Sequence, residues 1–206
     1  IYTLILVIFC FFLMKTKNIL FAQIGIFISF LYLSFGYYQS TKVLKVINEI
    51  AKDRGHKMER ILLKPTIGNN ILWRSVYQFE NFYYVDAVRL FHTSEFCKGT
   101  IIKKLDLSNE FLALNKKSQQ FKDIKRFEWF SQGYLGKKID SNIITDVRYS
   151  AVPNEVDGLW GIEINQKKDD NEHVDWVVNR SNYTKKWERF LDLLLGKNCQ
   201  NLLIKN

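Results

Sequence analysis

The sequence has little cysteine and proline, and both shortages exclude classes of protein. Only 3 of the 206 residues are Cys and 2 are Pro, whereas 15% are aromatic. So many aromatic residues with so few prolines exclude intrinsic disorder. Cys97 and Cys199 could pair, but two distant thiols do not make a disulfide scaffold. The 3 His are far apart and have no clustered Cys or His, so they form no recognisable zinc motif.

Sharp catalytic motifs are missing as well. The chain has no GxxxxGK[ST] phosphate loop and no GxGxxG, HExxH or GxSxG pattern. His173 and Asp175 share one face of a predicted strand, but a metal site usually needs a third or fourth ligand. We therefore interpret that pair as part of a solvated strand face. Because the first residue is Ile rather than Met, we expect the chain to be the C-terminal piece of a longer protein.

Charge is nearly absent from residues 1–38, where only Lys15 and Lys17 are charged. Residues 1–14 are apolar without a break, and residues 19–38 form a second apolar run. About 20 such residues cross the hydrocarbon core of a bilayer. The first run is shorter, so we expect it to be the end of a longer span. The pattern predicts two transmembrane helices in a hairpin over residues 1–38.

Two other interpretations of residues 1–38 remain open. A signal peptide would have a basic start and a cleavage site with small residues, and the sequence shows neither. A helical hairpin inside a soluble core would need a polar face, which residues 1–14 lack. Membrane insertion is the interpretation that the composition favours.

A basic segment follows the second apolar run. Residues 39–57 are predicted to form an amphipathic connecting helix, with Val43, Val46, Ile47 and Ile50 on one face. The alternatives are a helix at the membrane surface and an ordinary helix of the following domain. The basic side chains that could contact anionic lipid head groups are Lys42, Lys45, Lys52 and Arg54. The positive-inside rule explains these charges, so no nucleic-acid partner is expected, and the rule predicts a cytoplasmic C-terminal domain.

Residues 58–206 are predicted to form a soluble α+β domain. Alternating or β-branched segments predict strands at 72–79, 83–91, 142–149, 159–165 and 173–179, with a further candidate at 99–105. Helical periodicity predicts helices at 119–131 and 183–195. Strands joined as hairpins, with helices inserted and appended, predict a mostly antiparallel sheet with packed helices.

Several stretches resemble the C-terminal region of the YdjM-like proteins. One is Pro65-Thr66 followed by Asn70-Ile71-Leu72-Trp73-Arg74, with Tyr83-Tyr84-Val85 on the returning strand. Arg126-Phe127-Glu128-Trp129-Phe130-Ser131-Gln132-Gly133-Tyr134 and Thr145-Asp146-Val147-Arg148-Tyr149 fit as well. The resemblance covers nearly the whole chain. The YdjM-like proteins are bacterial inner-membrane proteins described as LexA-regulated, metal-dependent hydrolases.

The resemblance implies a function for the whole protein. A divalent metal such as zinc would activate water against a phosphoester or lipid-like substrate in the bacterial inner membrane. The resemblance places the His and Asp ligands upstream of Ile1, so we expect no metal ligands in this chain and no activity from it alone. The alternative is a non-catalytic membrane protein whose soluble domain binds a partner or the lipid surface.

The positions that match the family pattern have no assigned catalytic role. They are Pro65, Asn70, Trp73, Arg74, Trp129, Asp146 and Arg148. We expect Pro65 to fix a turn and the two tryptophans to fill the core. Asp146 and Arg148 are expected to form an ion pair that pins the sheet.

Overall fold

A computed structural model describes residues 2–112, 114–138, 141–179, 182–197 and 199–201. The chain begins with a helical hairpin, α1 (Tyr2–Thr16) and α2 (Ile19–Asp53). Asn18 caps α2, because its side-chain oxygen accepts a hydrogen bond from the backbone N–H of Leu20 at 2.9 Å. Gly25 of α2 lets the two helices approach, since a Cβ there would lie 2.6 Å from the Cβ of Phe9.

The second helix is longer than the apolar run that begins it. Its 35 residues extend about 52 Å without a break. Within the described residues, it is the one helix long and apolar enough to cross a membrane, and α1 is a shorter apolar helix. The amphipathic stretch is thus continuous with the apolar run. Its Val43, Val46 and Ile47 are fully buried against the sheet, so this stretch packs as a helix of the domain.

An antiparallel sheet carries the rest of the chain, and in the described residues it has nine strands. They are β1 (Arg60–Pro65), β2 (Leu72–Phe79), β3 (Phe82–Leu90), β4 (Ser94–Lys104), β5 (Leu135–Lys137), β6 (Ile143–Asp146), β7 (Trp160–Glu163), β8 (Asp175–Val178) and β9 (Gln200–Asn201). The first eight lie in sequence order, and β9 pairs with β4. The other helices are α3 (Leu107–Glu110), α4 (Gln119–Phe130) and α5 (Tyr183–Leu194). The predicted α+β class with an antiparallel sheet is confirmed.

The centre of the sheet is covered on both faces. On one face, Trp73 and Tyr77 of β2 pack with the C-terminal half of α2. On the other face, Leu72 packs with Phe190 and Leu193 of α5. Because both faces are covered, β2 is buried along almost its whole length, including its polar residues. This explains why the segment shows no clean polar–apolar alternation.

A disulfide joins two distant parts of the chain. Cys97 of β4 is bonded to Cys199, which immediately precedes β9. The sequence left this pairing open. The bond closes a loop of 102 residues and holds β9 against β4 beside the cluster that contains Phe190. Within the described residues, Cys10 is the remaining free cysteine.

Candidate functional site

Three of the family-pattern positions meet in a buried cluster of charges. We call Arg74, Asp146 and Arg148 the arginine cluster. Arg74 lies on the face of β2 opposite α2 and is only 5% exposed. Its guanidinium donates to the carbonyl oxygens of Pro153 (2.7 Å), Glu155 (2.8 Å) and Val147 (2.7 Å). One side chain of β2 therefore holds the segment that follows β6.

The Arg74 guanidinium is held mainly by backbone dipoles. Burial lowers its pKa to about 10, although the negative charges of Asp146 and Glu155 act in the opposite direction. Its Nε is buried and has no hydrogen-bond partner. Glu155 itself pairs with Arg189 of α5. The arrangement is that of a structural cation, since a buried donor bound to three carbonyls is not free to bind substrate.

Asp146 and Arg148 form the ion pair that their spacing predicts. Arg148 donates from Nε to Oδ1 at 2.9 Å and from Nη2 to Oδ2 at 2.7 Å, with the two side chains 9% and 1% exposed. The hydrogen bond that Arg148 donates to the Asp146 carboxylate raises the pKa of Arg148. Nη2 also donates to the Phe130 carbonyl at 3.0 Å. The pair thus joins the end of β6 to the end of α4.

Asn70 and Trp73 attach the sheet to α2. The Asn70 carbonyl accepts hydrogen bonds from Gln39 of α2 at 3.2 Å and from the Trp73 indole at 3.0 Å. The Asn70 amide nitrogen would lie 3.4 Å from a Cβ placed on Gly36. Pro65 is the last residue of β1 and pairs with Trp73. These positions fix the sheet domain to the helix that precedes it.

Trp129 does not fill the core, and that expectation was wrong. Its side chain is 79% exposed at the C-terminal end of α4. The buried stripe of that helix consists of Gln120, Ile124 and Phe127. Since positions 120, 124 and 127 follow helical spacing, residue 129 falls on the opposite side. The Trp129 side chain therefore faces away from the buried stripe of α4.

A second cluster lies where α2 ends, and the sequence analysis missed it. We call Arg54, His56, Tyr77 and Asp86 the helix-end cluster. Arg54 donates to Asp86 at 2.7 Å and to the Tyr77 hydroxyl at 2.8 Å. Burial opposes the charge, but the hydrogen bond and the negative charge of Asp86 raise the pKa of Arg54 overall. Asp86 was a detectable signal, because it is the only carboxylate of β3 and a buried carboxylate needs a partner.

His56 completes the helix-end cluster as a neutral side chain. Its ring stacks on Phe79 with centroids 4.3 Å apart, and its Nδ1 lies 3.0 Å from the Tyr77 hydroxyl. Burial and the nearby positive charge of Arg54 lower the pKa of His56. The Tyr77 oxygen accepts from Arg54, so its O–H is available to donate to the neutral imidazole. Arg54 is therefore engaged by Asp86 and Tyr77 inside the protein.

The other candidate ligands do not assemble into a metal site. His173 lies 2.7 Å from Asp123, whereas Asp175 pairs with Lys168 at 2.8 Å. Across the described ranges there is no group of three or more His, Cys, Asp or Glu side chains that could hold a metal ion. These residues do not fit the divalent metal that the resemblance implies.

A mostly apolar surface depression lies beside the edge strand β8. Its volume is about 470 Å³. The residues that line it are Ala151, Leu159, Trp160, Val178, Asn179, Tyr183 and Lys186. This lining contains no carboxylate or imidazole, which are the commonest general bases of hydrolysis.

Searches against protein-family models, curated proteins and solved structures find no match to this chain. The link to the YdjM-like proteins therefore rests on the sequence resemblance, and the functional conclusions from it are proposals.

Proposed function

We propose that this chain is the membrane-anchored, non-catalytic region of a YdjM-like, metal-dependent hydrolase. The observation that supports an anchor is the division of α2 into two halves. In the first half, Phe27 and Phe30 are 61% and 65% exposed, as suits side chains that face lipid. In the second half, Val43 and Ile47 are fully buried in the core of the sheet domain.

The continuity of α2 also supports a fixed orientation of the sheet domain relative to the apolar half of the helix. No flexible linker separates the apolar half of the helix from the half that packs on β2 and β3. The hydrogen bond from Gln39 to Asn70 adds a contact near the end of the apolar run. A domain held in this way is suited to cover or position a catalytic centre at the membrane.

The hydrolase part of the proposal is supported by the resemblance. The metal ligands would lie outside these residues, and a divalent metal such as zinc would activate water there against a phosphoester or lipid-like substrate. Arg74, Asp146 and Arg148 would then maintain the fold of the region, consistent with their internal partners. The same internal partners favour the alternative, a non-catalytic membrane protein whose sheet domain binds a partner or the lipid surface.

Two observations support opposite orientations in a bacterial inner membrane. The basic residues after the second apolar run favour a cytoplasmic sheet domain. The disulfide between Cys97 and Cys199 favours an oxidising compartment, because disulfides are rare in the cytosol. Lys15 in the last turn of α1 and Lys17 in the hairpin loop satisfy the positive-inside rule with the sheet domain outside. We therefore propose the oxidising side, which replaces the cytoplasmic prediction.

Carbonate extraction tests the anchor. Membranes that contain the full chain are washed at alkaline pH, and the pellet and supernatant are compared. The chain should stay in the pellet, because removing the apolar surface of α1 and α2 from lipid is unfavourable. Release of the intact chain into the supernatant would contradict membrane anchoring. A known peripheral protein in the same membranes serves as the control that the wash is effective.

Metal retention and phosphoesterase activity test the catalytic part. The purified chain should retain no stoichiometric zinc after dialysis and should not hydrolyse a phosphoester. A longer protein that includes the upstream His and Asp residues should retain stoichiometric zinc and should hydrolyse the phosphoester. Zinc retained by the present chain and lost on His173→Ala would place a metal site here instead. If neither protein bound metal or hydrolysed the substrate, the non-catalytic alternative would be preferred.

A further inference from the structure

Three exposed apolar side chains mark one end of the sheet domain. We call Ile67, Phe91 and Leu195 the proximal rim. Ile67 is 95% exposed, the highest value among the large hydrophobic side chains of the described residues. Phe91 and Leu195 are 59% and 67% exposed. They come from three different connections, so no single element explains their exposure.

The loop that presents Ile67 is ordered by its own hydrogen bonds. The Asn69 amide donates to the Thr66 hydroxyl at 2.8 Å, and its oxygen accepts from the backbone of Leu72 at 2.8 Å. Gly68 has a φ of +75°, which a glycine adopts without strain. The turn therefore holds an apolar side chain in the open rather than folding it onto the domain.

The loop that carries Ile67 touches the apolar half of α2. A Cβ on Gly36, which lies inside the apolar run, would be 3.4 Å from the Asn70 side chain. Gln39, one turn further, is bonded to the Asn70 backbone. If residues 19–38 cross the bilayer, residues 66–71 must lie at the level where α2 leaves it.

The other two rim residues are at the same end of the sheet. The backbone N–H of Leu90 donates to the Ile71 carbonyl at 2.7 Å, which brings residue 91 beside the 66–71 loop. Arg89 pairs with Leu72 in the sheet and donates to the Leu194 carbonyl at 2.8 Å, which brings the end of α5 to this edge. The opposite end of the domain is the tight turn at Asn81 between β2 and β3.

We propose that the proximal rim inserts into the interface of the same bilayer that α2 crosses. This proposal rests on the membrane anchor proposed above. The occupant is the phospholipid interface, because the continuous helix holds these side chains at that level and apolar side chains gain by leaving water. The contact fixes the sheet domain at three points in addition to α2 and limits its tilt.

The positions of the basic side chains along α2 also limit which of them can contact lipid head groups. Lys42 lies over the Tyr38 ring, 4.6 Å from its centroid, directly after the apolar run. Lys52 is fourteen residues beyond Tyr38, about 21 Å further along the helix axis. Arg54 is engaged by Asp86. Binding at this end therefore depends more on the apolar rim than on the full basic segment.

Spin labels in the full chain test the proposal. Single cysteines replace Ile67 or Phe91 in a Cys10→Ser background, and the labelled protein is reconstituted into phosphatidylcholine vesicles. Label accessibility to oxygen, which partitions into lipid, is compared with accessibility to a water-soluble nickel chelate. Asn81→Cys is the matched control at the far end of the domain, and Phe30→Cys reports on the anchor itself.

The rim positions should show an oxygen-to-nickel accessibility ratio several-fold higher than position 81. A ratio equal to that at position 81, with position 30 still in lipid, would overturn the rim proposal and leave the anchor intact. Water accessibility at position 30 would overturn the anchor and the rim together. Labels shielded from both reagents would mean that protein covers the rim, which would also overturn the lipid assignment.

Discussion

Arg74 is a buried cation whose partners are all carbonyl oxygens of one later segment, at Val147, Pro153 and Glu155. The side chain is therefore a cross-link between β2 and the chain after β6, although it forms no sheet pairing there. The local sequence of β2 does not predict which carbonyl groups Arg74 bonds. At the scale of single residues, Arg74 and Arg148 hold separate segments of the chain together through their internal hydrogen bonds.

Replacement of Arg74 by Met should destabilise the protein strongly. It removes the donors of three hydrogen bonds and leaves buried carbonyls unsatisfied, so we expect a loss of about 3 kcal/mol in the free energy of unfolding. Urea denaturation in detergent micelles, followed by tryptophan fluorescence, measures it. Arg126→Met is the control, because Arg126 is exposed. Equal stability of the two variants would contradict the structural role of Arg74.

His56 should make stability depend on pH. Its pKa in the folded protein is lowered from 6.5, so the unfolded chain binds a proton first as the pH falls. Stability is therefore lost as the pH drops through 6.5 towards the folded-state value. His56→Phe should weaken this loss, because phenylalanine keeps the stacking on Phe79 and does not titrate.

Denaturation midpoints measured on both sides of pH 6.5 provide the comparison. His92→Gln is the control for removing a histidine, since His92 is exposed. It should retain the pH dependence of the unmodified chain. The proposed role of His56 would be wrong if His56→Phe and His92→Gln responded to pH in the same way.

At the scale of elements, α2 has two environments along one continuous helix. Periodicity correctly located its buried face, with Val43, Val46 and Ile47 at 0% exposure. It did not show what covers that face, because lipid and a protein sheet both accept an apolar stripe. The structure places β2 and β3 there.

Replacing one side chain by alanine on each face of α2 should distinguish the face that packs on the sheet from the more exposed face. Ile47→Ala creates a cavity against the sheet and should cost about 3 kcal/mol of unfolding free energy. Leu44→Ala alters a side chain that is 37% exposed and should cost less than about 1 kcal/mol. Both variants introduce alanine into the same helix, and the difference in helix propensity between Ile and Leu is no more than about 0.5 kcal/mol. Similar losses in urea denaturation would mean that the face assignment is wrong.

Every predicted strand overlaps an observed one. Residues 72–79 match β2, and residues 83–91 match β3 within one position. The sequence analysis missed β1, β5 and β9. The last two have only three and two residues, too few for a period to be visible, and β1 is half-exposed without alternation. Such short strands form because their neighbours offer unpaired backbone groups.

At the scale of the whole molecule, the disulfide links distant parts of the chain and also bears on the compartment in which the sheet domain lies. It joins β4 to the chain beside β9 across 102 residues, and it is the observation that supports an oxidising compartment for the sheet domain. Composition alone left these two cysteines as a possible pair. Their meeting depends on α5 returning the chain to β4.

Thiol mapping should find the disulfide intact. Cells are lysed with an alkylating reagent, and the labelled sites are identified by mass spectrometry. We expect Cys10 to be alkylated directly, and Cys97 and Cys199 to be alkylated only after reduction. Cys10→Ser should show no direct labelling. Direct alkylation of Cys97 and Cys199 would support the cytoplasmic orientation instead.

The apolar hairpin region, the α+β class and the buried faces of the long elements follow from the amino-acid sequence, because these features depend on local composition and period. The sequence also placed Asp146 and Arg148 two residues apart, where an ion pair can form locally. Three other features depend on the folded arrangement: Arg74 bonds carbonyls more than seventy residues away, Arg54 binds Asp86, and Trp129 is exposed. Those outcomes depend on which segments meet across the sheet, and contacts between distant residues leave no period in the sequence.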